Sequence, residues 1–145
     1  MQTGRILKTG LAVGVVANVY DFVTNTYIFP MLGEPPAMMR AMEDLQMQWL
    51  VLSDFVAALV LVWVFDKVRG SFGPGAAGGM TFGMYAGVLM HFPTWIVMHL
   101  IARDFSYGIA WIWTLGGILW VVIMGTVAGA LYDRMGSAPA AAAAG

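Results

Sequence analysis

Cysteine is absent from this chain, which removes disulfides, thiol redox chemistry, iron–sulfur clusters and thiolate metal sites together. Its absence is no guide to compartment. Charge is almost as scarce: 10% of the 145 residues are Asp, Glu, Lys or Arg, where an ordinary soluble domain carries roughly a quarter. A formal net charge of -1 lacks the basic footprint that nucleic acid requires, so nucleic acid is excluded as a partner. Serine nucleophile chemistry also lacks a basis, because Ser53 and Ser106 have no nucleophile-elbow context.

What is present is apolar. Hydrophobic residues make up 60% of the chain and the mean hydropathy is +0.77, more apolar surface than a soluble core of this size can use. Four runs stand out, at residues 10–29, 48–65, 80–101 and 109–131. Each approaches the roughly 20 residues that cross a bilayer as a helix. The reading is an all-α membrane protein with four transmembrane helices in one domain over residues 1–136, followed by a disordered Ala/Pro tail at 137–145. No room remains for a separate soluble catalytic domain, so any function sits in the helices or short loops. The first run continues to Ile28-Phe29, well past the cleavage-like Val15-Val16-Ala17, and reads as a retained span rather than a signal peptide. Ser71 to Gly79 is rich in glycine and reads as a flexible turn.

Arg5, Lys8, Lys67, Arg69 and Arg134 fall on one side of this topology, whereas Arg40 and Arg103 lie on the other beside Glu34, Glu43, Asp44 and Asp104. The positive-inside rule then predicts both termini and the Gly-rich loop in the cytoplasm. Gly10-x-x-x-Gly14-x-x-Ala17 matches Gly79-x-x-x-Gly83-x-x-Ala86, and Phe65-Asp66-Lys67 matches Tyr132-Asp133-Arg134. These pairs predict a duplicated helical hairpin, two copies in one orientation about a pseudo-two-fold axis along the membrane normal. At helical spacing Gly10, Gly14, Asn18, Asp21 and Asn25 share one stripe, as do Gly79, Gly83, Gly87, Met90 and Thr94. The two stripes are expected to face each other or the bundle interior. Gly125 and Gly129, with Ala128 beside them, offer a similar close-packing surface on the fourth span.

Polar groups at depth are the candidate site. A central Asp costs roughly 2.5 to 3.5 kcal/mol on insertion scales, which makes intramembrane ionisable residues functional candidates by default. Asp21, Asp54 and His91 share a depth in the outer half, and Asn18, Asn25, Ser53 and Thr94 lie near the same layer. Helices one to three could enclose a polar pocket there. Three readings stay open: structural glue that fixes helix register, a proton or ion pathway, and a metal site in which Asp21, Asp54 and His91 supply oxygen and nitrogen ligands. Haem fits poorly, because His91 and His99 stand eight residues apart on one helix, about 12 Å along the axis and about 80° apart around it. An iron would need a partner subunit or a Met ligand such as Met90 or Met98. Pro93, two residues after His91, is expected to kink the third helix and free carbonyls near the layer.

In the outer loop, Pro35-Pro36 can open a short helix with Met38, Met42, Leu45 and Trp49 on its apolar face and Arg40, Glu43, Asp44 and Gln46 elsewhere. That pattern suits a helix on the membrane surface or against a partner. Met31, Met38, Met39, Met42 and Met47 could act as soft copper(I) ligands, although adaptable packing is the plainer use of methionine.

Gly10 to Asn25, Ser53-Asp54-Phe55 and the Asp66-Lys67 stop together resemble a loose group of small four-helix bacterial membrane proteins without assigned activity. The resemblance spans most of the first two helices and is weaker over the last two. It implies the fold and a bacterial inner membrane, and it carries no site residues. The leading expectation is a non-enzymatic accessory subunit or self-associating bundle, with membrane lipid and copies of itself or other membrane subunits as partners. The alternative is a small proton- or ion-coupled transporter using Asp21, Asp54 and His91. A metal- or haem-linked redox protein is third.

Overall fold

In a bilayer, backbone N–H and C=O groups must be satisfied within the segment, so long apolar runs become helices. The computed structural model describes residues 2–33 and 46–136. It contains four helical segments long and apolar enough to cross a membrane, as in a multi-pass membrane protein: Thr3–Leu32, Met47–Ser71, Gly75–Ile101 and Tyr107–Met135. The outer-loop helix, most of the methionine cluster and the Ala/Pro tail lie outside the described residues. Helix α1 (Gln2–Val23) runs through a widened π-turn, Thr24–Ile28, into the short α2 (Phe29–Leu32). Next come α3 (Met47–Val68) with a 3-10 turn at Arg69–Ser71, α4 (Gly75–Ile101) and α5 (Tyr107–Gly136).

The helices overrun the expected spans at almost every end. The largest correction falls on the Gly-rich stretch. Helix α4 already begins at Gly75, so the flexible turn contracts to its first residues, where Gly73 and Gly75 take φ values of 83° and 69° that favour glycine. Gly78 and Gly79 are helical and buried. Pro93 lies within α4, which continues through it as one helix.

Glycines decide which helices approach closely. A Cβ on Gly79 would collide with the backbone of Gly125 and lie 2.9 Å from the amide of Gly129, and one on Gly83 would lie 2.8 Å from Val122 Cα. The α4–α5 interface is accordingly the most extensive in the bundle. Gly10 and Gly14 lie instead against Leu59 and Phe55 of α3, and α1 with α3 is the second interface. The two small-residue stripes therefore face the following long helix and not each other. Contact between the hairpins is lopsided: α5 also packs on α1, whereas α3 and α4 have little contact, meeting where Phe65 touches Phe82 at 5.3 Å between centroids.

The described helices alternate in direction, and side chains tie four of them at one end. Asp133 of α5 pairs with Arg69 and accepts the backbone N–H of Gly75, while Arg5 of α1 donates to the carbonyl of Tyr132 at 2.5 Å through Nε and lies over its ring at 3.8 Å. The Tyr132 hydroxyl donates to Asp66 of α3. Next to this end sits the apolar core, with Val13, Ala17, Ala58, Val62, Phe65, Val121, Met124 and Ala128 all buried. The other half of the bundle is not filled in this way. It holds a cavity.

Candidate functional site

The cavity lies among α1, α3, α4 and α5 and has a volume of about 260 Å³. Helix α1 contributes Tyr20, Asp21 and, through the π-turn, Thr24 and Asn25; α2 contributes Phe29. Helix α3 contributes Asp54 alone, α4 contributes His91 and Trp95, and α5 closes the wall with Trp113, Gly116, Gly117 and Trp120. Its mouth is open, and α3 and α4 separate on this side of the Phe65–Phe82 contact.

The π-turn sets the α1 wall. Pro30 cannot donate a backbone hydrogen bond and its ring crowds the carbonyl four residues earlier. The preceding turn widens, and the Phe29 amide bonds to the Thr24 carbonyl five residues back. Phe29 thus stacks over Thr24, where an ordinary α-turn would bring Ile28. Its ring lies against Trp113 (6.1 Å between centroids, 19° between planes). Thr24 turns its hydroxyl to the Tyr20 carbonyl at 2.8 Å, and the Tyr20 hydroxyl crosses to the carbonyl of Gly116 at 2.8 Å.

Of the seven residues expected in the polar layer, four reach the cavity: Asp21, Asn25, Asp54 and His91. The Asp21 and Asp54 carboxyl groups, from different helices, come within hydrogen-bonding reach of each other. Asp54 is buried, whereas Asn25 is exposed at the rim and donates to the Asp21 carbonyl at 2.9 Å. Asn18, Ser53 and Thr94 do not line the cavity. They bond to carbonyls of their own helices, Gly14 at 2.9 Å, Leu50 at 2.7 Å and Met90 at 2.5 Å, and Asn18 adds a long contact of 3.5 Å to Val51 of α3.

His91 is held by its neighbours on two sides. Trp95 donates its indole N–H to His91 Nδ1 at 3.3 Å, and Gly117 leaves the space the ring occupies, since a Cβ there would collide with it. With Nδ1 accepting, a neutral imidazole carries its hydrogen on Nε2. That atom is buried and has no hydrogen-bond partner among the described residues, and the same is true of the indole nitrogen of Trp120, whose ring meets His91 edge-on at 6.2 Å. Buried donors without partners are uncommon, costing roughly 1–3 kcal/mol each.

Among the described residues no three His, Cys, Asp or Glu side chains converge to hold a metal ion, so Asp21, Asp54 and His91 share a cavity without forming a three-ligand site. Nor do the histidines converge on one iron: His99 lies at the α4–α5 turn, its Nδ1 2.8 Å from the Phe105 carbonyl. Sequence reasoning missed the fourth helix. Trp113, Gly116, Gly117 and Trp120 recur at i, i+3, i+4 and i+7, the spacing of one helical face, and that pattern was the available signal. No family model, curated protein or solved structure matches the chain.

Proposed function

We propose that this chain is a small ion-coupled membrane carrier whose working site is the Asp21–Asp54 pair. The observation that carries this reading is the meeting of two carboxyl groups from separate helices inside an open cavity, beside His91, whose Nε2 has no hydrogen-bond partner among the described residues. Structural glue would have the polar layer satisfy itself across helices. Instead its amides and hydroxyls bond mainly to their own helices, and the buried His91 Nε2 finds no partner among the described residues. Two neighbouring carboxylates repel unless a proton or cation lies between them, which is the property an exchange site needs.

The positive-inside rule orients the Arg5, Arg69 and Arg134 end to the cytoplasm, in a bacterial inner membrane by the resemblance noted above, so the cavity opens in the outer half. The duplicated-hairpin reading draws support from register: Gly14 meets Phe55 and Gly83 meets Val122, and Phe55 and Val122 each stand eleven residues before the closing acid, Asp66 or Asp133. The lopsided contacts between hairpins mean that the copies have diverged. A second reading, a self-associating bundle or accessory subunit, rests on α4, which packs mainly on α5 and exposes Leu89, Leu100 and Ile101.

The test of the carrier is proton flux in proteoliposomes under a pH gradient, followed with an internal pH dye. Wild type should dissipate the gradient, and Asp21→Asn and Asp54→Asn should each lose that activity while melting like wild type. Flux equal to wild type in both variants refutes the reading.

A further inference from the structure

Resting on the carrier reading, we propose that the cavity binds a small alkylated organic ammonium ion, of the size and kind of choline. Size is the first argument. At about 30 Å³ per water, 260 Å³ corresponds to roughly nine waters, far more than a proton or a bare inorganic ion fills. It falls just short of the roughly 300 Å³ at which pockets for drug-sized ligands begin.

The walls are the second argument. Beside the two carboxyl groups stand the rings of Tyr20, Phe29, Trp95 and Trp113, and Trp95 and Trp113 meet at 4.8 Å and 89° to form a corner. A wall of π-faces attracts a cation through the ring quadrupole and suits an alkylated ammonium in particular, whose charge is spread over methyl surface and whose desolvation is mild. A divalent metal ion, by contrast, lacks its third ligand among the described residues.

The third argument is burial. Asp54 is buried and Asp21 half-buried, and a carboxylate taken out of water is costly unless a cation accompanies it.

The experiment is a titration of the purified full-length protein in mild detergent, read by intrinsic tryptophan fluorescence. The probes are choline, its neutral carbon isostere 3,3-dimethyl-1-butanol, tetramethylammonium and sodium. Choline should give a saturable change at concentrations at least tenfold below those needed for the isostere, and sodium at equal ionic strength should not displace it. Tetramethylammonium, which shares the quaternary head, should also give a saturable change, and Asp54→Asn should weaken both at least several-fold. Equal response to choline and the isostere, or no saturable response to choline, overturns the proposal on wild-type protein without recourse to a variant. A tetramethylammonium response no stronger than that of the neutral isostere overturns it as well. Binding without proton flux would leave this site standing and remove the carrier, whereas flux without choline binding would do the reverse.

Discussion

Replacing Gly79 by Ala adds one methyl group where α4 crosses α5. What that methyl meets is backbone, the Gly125 carbonyl and, at 2.9 Å, the Gly129 amide, so no side chain can swing aside and the helices must part. Overpacking of this kind costs typically 1–3 kcal/mol, about. Against it stands the gain from removing a glycine within a helix, about 0.5–1 kcal/mol. The net expectation is a loss of about 1–2 kcal/mol. Gly4→Ala is the internal control, because Gly4 is also helical but has nothing within 4 Å of its would-be Cβ; only the gain applies. The two variants should therefore move in opposite directions. Titration from mild detergent into dodecyl sulfate, followed by circular dichroism, measures both midpoints. A Gly79→Ala midpoint at or above that of Gly4→Ala refutes the close-packed crossing.

Other outcomes follow from the same structure. Asp133→Asn weakens the ion pair with Arg69 and the acceptor for the Gly75 amide, and should lower stability by about 1–3 kcal/mol in the same titration; Lys8→Gln is the neutral comparison. Tyr132→Phe leaves Asp66, whose side chain is 6% exposed, without its hydroxyl donor, and should cost about 1–3 kcal/mol. Gly117→Ala should push the His91 ring and shift its NMR resonances, whereas Gly108→Ala, with open space around it, should leave them unmoved.

The four long helices were legible because hydropathy reports burial in lipid directly, and the shared depth of Asp21, Asp54 and His91 was legible because depth is counted along the axis. Rotation about that axis was not. Asn18, Ser53 and Thr94 lie at nearly the same height as the acids yet point elsewhere, a difference set by roughly 100° per residue and by which neighbour each helix chooses. The π-turn at Thr24–Ile28 compounded this, since one residue of extra turn re-aims Phe29 and no hydropathy pattern announces it. The partner of each glycine stripe was hidden for a related reason: small residues permit a close approach without specifying which helix makes it. The α5 wall stayed out of view because Trp113, Gly116, Gly117 and Trp120 carry no charge, and the search for a site at depth followed ionisable groups.

Among the described helices α5 is the only long one with substantial contact to α1 and α4 alike, and it follows both in the chain. Until it is made, α4 has little to lean on, and the wall formed by Trp113, Gly116, Gly117 and Trp120 does not yet exist. Helices α1 and α3 can pair early through Gly10 and Gly14, but Asp21 and Asp54 then meet with one side open. Only when α5 inserts does Asp133 reach Arg69 and Gly75 and does Gly117 receive the histidine. Biogenesis thus has a single closing step, and the site comes into being at the moment the bundle does.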